Sequence, residues 1–187
     1  MLTASEIAAQ IGRGEIAWPG ELRGDGLLLR LGSPLQPLTN PGHVIDLADQ
    51  DSINELYATP LRDWDEFELA PGRIALCATG QPLRLGAGFA AAIASLSHLA
   101  RVGLAAHITS PWVMPGWDGH LTLELFNTAP ATLRLRHGMP VARAVIWPMD
   151  GVTRDPVPHA HYGHSGHLGS RYADEFGSQL TANGTRA

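Results

Sequence analysis

The chain contains no lysine. Its thirteen basic side chains are all arginines, set against eighteen Asp and Glu, for a net charge of −5. A duplex nucleic-acid binder is more often basic, so polymeric DNA or RNA is not an expected partner, although a few clustered arginines can hold a small anion against a negative average. The missing lysine also removes any P-loop of the G-x-x-x-x-G-K-[ST] type. Cysteine is nearly absent. With Cys77 alone, no intrachain disulfide can form and no multi-cysteine metal site can be built. Long apolar runs are missing too. The start, MLTASEIAAQIGRGEIAW, lacks the apolar core of a secretory signal or a membrane span, so the expected setting is the cytoplasm, with no membrane partner.

Hydrophobic residues make up 44% of the 187 positions and charged residues 17%, which suits one folded domain over 1–187 with a sizeable core. Residues 1–20 read as a helix and lead-in, and 150–187 as a C-terminal arm. Thr3 is placed to cap a helix, Ile7, Ala8 and Ile11 follow at helical spacing, and Gly14 stands near its end, so the pattern predicts a helix over about 4–12. After that the 21 Gly and 14 Pro divide the chain into short apolar runs. Strands are expected over 26–31, 43–46, 66–69, 73–79, 89–93, 105–109, 120–127, 131–136 and 141–148. A short helix is expected over 97–102, and 115–119 reads as a turn. Many short strands at near-regular spacing favour a β-sandwich or barrel over a βαβ fold. From Asp150 the chain becomes Gly- and His-rich, an arm that orders on binding or a flexible end.

Glu124 is the first candidate for chemistry. It lies inside the apolar run LTLELFN, where a carboxylate is costly unless paired or functional; the plainer reading is an outward residue on a half-exposed strand, beside Thr122 on the same face. Ser97 and Arg101 stand four apart, so a short helix puts them on one face. Ser97 suits a cap beside free N–H groups that favour a phosphate, or the pair is an ordinary cap and a surface arginine. His159, His161, His164 and His167 match no spaced ligand set, so a solvated tail is expected and no metal site. Trp112, Trp117 and Trp147 suit packing as well as base stacking. Zinc-dependent cytidine deaminases need an H-x-E and a P-C-x-x-C, which one cysteine cannot supply.

The segment SHLARVGLAAHITSPWVMPGWDGHLTLELFN (97–127) resembles the central block of dCTP deaminases. In that family a Ser-Ser-Leu-Ala-Arg-x-Gly helix precedes His-x-Thr-Ala, an Asp-Pro-Gly-Trp turn and a strand ending Leu-Glu-x-x-Asn. GDGLLLRLGS (24–33), HGMPVARAVIW (137–147), the terminal Tyr-Gly…Ser-Arg (162–171) and the N-terminal S-E-I-x-x-x-I-x-x-G-x-I extend the resemblance over nearly the whole chain. It implies a mainly β fold, a distorted β-barrel or jelly roll of the dUTPase-like type. It also implies a homotrimer with sites between subunits, and a C-terminal arm closing over the nucleotide. The implied reaction is dCTP to dUTP and ammonia without zinc. No cofactor is tightly bound, and Mg²⁺ accompanies the triphosphate. Glu124 matches the catalytic glutamate, a general acid/base, and Ser97 and Arg101 match the active-site serine and arginine. His98, Thr109, Ser110, Val113, Trp117, Thr122, Tyr162 and Arg171 fall at substrate-binding positions. Ser110 stands where the family has an alanine whose backbone carbonyl helps hold the water.

The departures are specific. The arginine expected before the serine pair is Leu96, the second serine is His98, the turn's aspartate is Met114, and an early strand aspartate is Leu28. The tail's lysine and glutamine are also missing, with His161 and Ser165 or Gly166 near their places. Each lost charged contact weakens binding by roughly 1.5–3 kcal/mol if nothing substitutes. The leading expectation is deamination of a cytosine deoxynucleotide, with dCTP the default. The alternatives are a non-catalytic nucleotide-binding trimer and a dUTP diphosphohydrolase. Met114 disfavours the last, because a thioether cannot activate water as a carboxylate does.

Overall fold

The structure is a computed structural model that describes residues 1–151 and 168–182. Tyr162 and the four tail histidines lie outside the described residues. Helix α1 (Ala4–Gly12) forms as its sequence predicts: the Thr3 hydroxyl accepts from the Glu6 N–H, and the Glu6 carboxylate accepts from the Thr3 N–H at 2.7 Å. This reciprocal cap satisfies two of the free donors of the first turn. Ile7, fully buried, pins the helix to the sheet.

Seven antiparallel strands form the main sheet: β2 (Leu27–Pro37), β4 (Ile74–Thr79), β6 (Phe89–Ser95), β7 (Leu104–Ala105), β8 (Trp112–Val113), β10 (Thr122–Asn127) and β12 (Pro140–Pro148). Their order is β7-β10-β4-β2-β12-β6-β8. Two smaller sheets flank it. One joins β1 (Ile16–Ala17), β5 (Leu83–Leu85) and β9 (Asp118–Gly119); the other pairs β3 (Glu66–Leu69) with β11 (Leu133–Arg136). The result is the mainly β, curled-sheet architecture expected from the sequence.

Strand β2 holds the sheet together by serving two partners. Its first half pairs with β12, and its register shifts between Leu31 and Leu35 before the second half pairs with β4. At the bend a Cβ on Gly32 would come within 2.6 Å of the Gly80 backbone, so this crossing needs glycine. Leu27, Leu29, Leu31 and Leu35 of β2, Cys77 of β4, Leu123 and Leu125 of β10 and Ile146 of β12 fill one continuous core. Leu28 is buried as well, so the apolar replacement there is absorbed by packing.

Three expectations differ from the fold. Residues 43–46 form no strand. Local bonds claim them instead: Asp46 accepts from the Ala48 N–H, His43 pairs with Glu55 at 2.9 Å, and Val44 stays exposed. Of 105–109, only Ala105 continues a strand, because the chain turns away at Ala106 once the short β7 has paired with β10. The arm carries an unforeseen helix, α4 (Tyr172–Ala182), which lies against a second unforeseen helix, α2 (Gln50–Asn54); the Gln50 side chain donates to the Ser170 carbonyl at 2.7 Å.

Candidate active site

Burial alternates along β10. Leu123, Leu125 and Asn127 face the core, while Thr122, Glu124 and Phe126 are half-buried on the outer face. The strand's end is fixed by the Asn127 amide, which donates to the Leu69 and Ala131 carbonyls and accepts from the Ala129 N–H. Glu124 lies opposite Leu76, and Thr122 opposite Ala78. Leu76 and Ala78 form a small outer apolar cluster with Leu168, against which Leu38 and Tyr57 pack. Glu124 therefore projects from the rim of a greasy patch and not into open solvent. Its carboxylate accepts from the Ile108 N–H at 2.9 Å. That bond orients one oxygen and leaves the other for a ligand.

A cavity of about 480 Å³ opens here, in the size range of small-molecule sites. Glu124 and Thr122 form its polar floor, and Ser110, Val113 and Trp117 a wall. Ile93, Leu76, Leu121 and Trp112 supply apolar surface, and Tyr57 with Leu168–Ser170 closes one side. The Trp117 indole N–H donates to the Gly119 carbonyl at 3.1 Å, which holds the ring in place. The closing strap is tied down by the Ser170 N–H, which donates to the Tyr57 hydroxyl at 2.9 Å. The cavity is apolar with a few convergent polar groups, a form suited to a planar heteroaromatic ring read by a carboxylate and a hydroxyl.

Five of the expected site residues thus converge: Glu124, Thr122, Ser110, Val113 and Trp117. Ser97 and His98 do not join them. They line a second cavity of about 230 Å³ with Arg23, Leu96 and Arg143. Ser97 opens the four-residue helix α3 (Ser97–Ala100) but does not cap it. The cap residue is Leu96, which makes no side-chain bond, and Arg101 is the C-cap. Arg101 and Thr109 are exposed and line neither cavity. Arg171 is engaged by Asp174 at 3.1 Å. Met114 is exposed and outside the lining of the larger cavity.

The sequence reading missed Tyr57, Leu76 and the 168–170 strap. Leu76 could have been found by pairing β10 with β4, since it shares Glu124's face. Tyr57 and the strap sit in irregular chain with no period to betray them. Among the described residues, no three His, Cys, Asp or Glu side chains are grouped to hold a metal ion, and no helix is long and apolar enough to cross a membrane.

Comparison with known proteins fits this geometry. The dCTP deaminase-like family model matches residues 1–149. A "dCTP deaminase, dUMP-forming" of Corynebacterium efficiens is 35% identical over 72% of this chain and 66% of its own length. A protein of the same description from Nocardioides sp. is 30% identical over 95% of this chain and 92% of its own. The chain thus spans just under two thirds of the first relative and nearly all of the second. Among solved structures, the 2'-deoxycytidine 5'-triphosphate deaminase of Agrobacterium tumefaciens superposes with a TM-score of 0.59 at 18% identity. The match covers 78% of this chain and 47% of that one, and at this identity it speaks for the fold. Family model, relatives and fold agree: the chain belongs to the dCTP deaminase-like family.

Proposed function

We propose that this chain hydrolytically deaminates a cytosine deoxynucleotide, dCTP by default, with Glu124 as the general acid/base. The observation that carries the reading is the placement of Glu124: a carboxylate at the edge of an apolar, ring-sized cavity, oriented by one backbone N–H. In the proposed reaction Glu124 takes a proton from water as the oxygen attacks C4 of the ring. It passes that proton to ring N3, then takes the second one from the new C4 hydroxyl and gives it to the amine, so the C4–N bond breaks, ammonia departs and a uracil ring remains. Thr122 offers a hydroxyl to the base or sugar from the same face. The Ser110 backbone helps hold the water. Mg²⁺ is expected to travel with the nucleotide on its phosphate oxygens.

The site is further proposed to be shared between copies of the chain in a homotrimer. Ser97 and His98 line a cavity that has no residue in common with the one around Glu124. A nucleotide engaging both sets would bridge two subunits, with Arg101 of one chain near Glu124 of the next. In support, Val102, Ile108, Trp112 and Met114 lie close in sequence and are all exposed, as residues covered by a neighbouring subunit would be.

The relatives' names add a second step, release of dUMP in place of the dUTP expected from the sequence. The names argue for the longer reaction. Met114 argues for the shorter one, because a thioether cannot order a hydrolytic water. Incubation of the folded protein with dCTP, dCMP and modified cytosine nucleotides tests the reading. Ammonia release supports deamination, and chromatography of the products distinguishes dUTP from dUMP with pyrophosphate. No ammonia from any of them would refute the deaminase reading.

A further inference from the structure

The cavity beside Ser97 concentrates positive charge in an acidic chain. We propose that Arg23 and Arg143 grip the phosphate chain of the nucleotide there, replacing the guanidinium that is missing at Leu96; this rests on the nucleotide-deaminase reading. Neither arginine stands near Leu96 in sequence, yet both line the cavity that Leu96, Ser97 and His98 also line.

Arg143 comes from the middle of β12, opposite Leu28 on one side and Ala94 on the other, so its stem is fixed between two paired strands. Its Nε is buried and donates to nothing. The far end of the guanidinium lies over the turn at Gly24, where a Cβ would approach Nη1 to 3.0 Å. Gly24 is held at φ +58°, and Arg23 precedes it on the same turn, which the Arg23 N–H closes onto the Gly26 carbonyl. The two guanidinium-bearing residues thus reach one cavity from adjoining elements.

Neither has a carboxylate within 4.0 Å among the described residues. By contrast Arg30 pairs with Glu21, Arg134 and Arg136 with Glu66, and Arg171 with Asp174. A buried guanidinium nitrogen without an acceptor is costly to leave so. A second arginine on the same wall makes an anion the fitting partner, because phosphate oxygens accept the forked donors of both. Ser97 adds a hydroxyl and His98 an imidazole, in reach of a ligand entering the cavity. The ligand class is a polyphosphate ester, and one phosphate group alone would leave part of the donor set unused.

Calorimetric titration of the intact chain with inorganic tripolyphosphate, with Mg²⁺ present, tests this without any turnover. Wild type, Arg23→Gln, Arg143→Gln and the control Arg84→Gln are compared, each with its ligand-free melting curve. Arg84 donates to the Gly14 carbonyl elsewhere on the surface. The expected result is at least a tenfold loss of affinity in each cavity variant, none in the control, and unchanged melting for Arg23→Gln. If Arg143→Gln does not fold, Arg23→Gln, on an exposed turn, decides alone. Equal affinity in wild type and Arg23→Gln, an equal loss in the control, or no binding by wild type overturns the proposal. Failure of the deaminase reading shows separately, as absent ammonia release by a wild type that still binds tripolyphosphate in an Arg23-dependent way.

Discussion

Single residues already yield two measurable consequences. Burial pushes the Cys77 thiol up to about 12, only partly offset by its contact with the Gly32 carbonyl. At pH 8 the thiolate fraction is then on the order of one in ten thousand, and the thiolate is the reactive form. Thiol reagents should therefore modify Cys77 at the rate of unfolding. A reaction in native buffer as fast as that of the denatured chain would show the site to be open. At α1, the Thr3 backbone and hydroxyl hold the Glu6 carboxyl below its ordinary value of 4.5. Because the folded form binds its proton less readily, this cap contributes fully above about pH 4.5 and is lost as pH falls through the lower folded value. The urea midpoints of wild type and Glu6→Gln should differ at pH 7 and converge on acidification. Thr3→Ala, which removes the hydroxyl half of the cap and leaves the backbone N–H on the Glu6 carboxylate, should cost about 1 kcal/mol at pH 7.

At the scale of elements, the alternation in LTLEL was the most legible feature of the chain. A period of two put Thr122 and Glu124 on one face, and the strand has that face on the cavity. The capped α1 and the strand at 66–69 were equally readable, because caps and turns are local chemistry. What stayed hidden depends on contacts distant in sequence. The run YADEFGSQLTA carries Gly177 at its centre and little apolar content, so no period marks α4. In the sequence Arg143 is only a charge inside VARAVIW, since the fold alone brings Arg23 to the same cavity. The strap gives this scale its prediction. Tyr57→Phe removes the hydroxyl that accepts from the Ser170 N–H, worth about 1 kcal/mol. Hydrogen exchange at Ser170 should quicken about fivefold while the global melting temperature barely moves. Unchanged exchange would mean that other contacts hold the strap.

For the whole molecule, the family resemblance read from segments spread along the sequence anticipated the sheet architecture, because a fold rests on many positions at once. The site was legible only in part. Five expected residues meet in one cavity, while Ser97, His98 and Arg101 lie apart from it, because spacing within a short helix does not say which distant strand that helix will face. Sedimentation equilibrium should find three chains per particle. Replacing the exposed Trp112 with Glu, which would set charge against a neighbour, should shift the protein toward monomer. A monomeric wild type would undo the shared-site reading. The account as a whole turns on whether Glu124 moves protons at a cytosine ring, and the direct measurement is ammonia release from dCTP by wild type and Glu124→Gln, both checked for folding and nucleotide binding. The expected result is turnover by the wild type and a loss of about 10²–10⁴-fold in the variant with binding retained. Turnover of similar size in both proteins would contradict it.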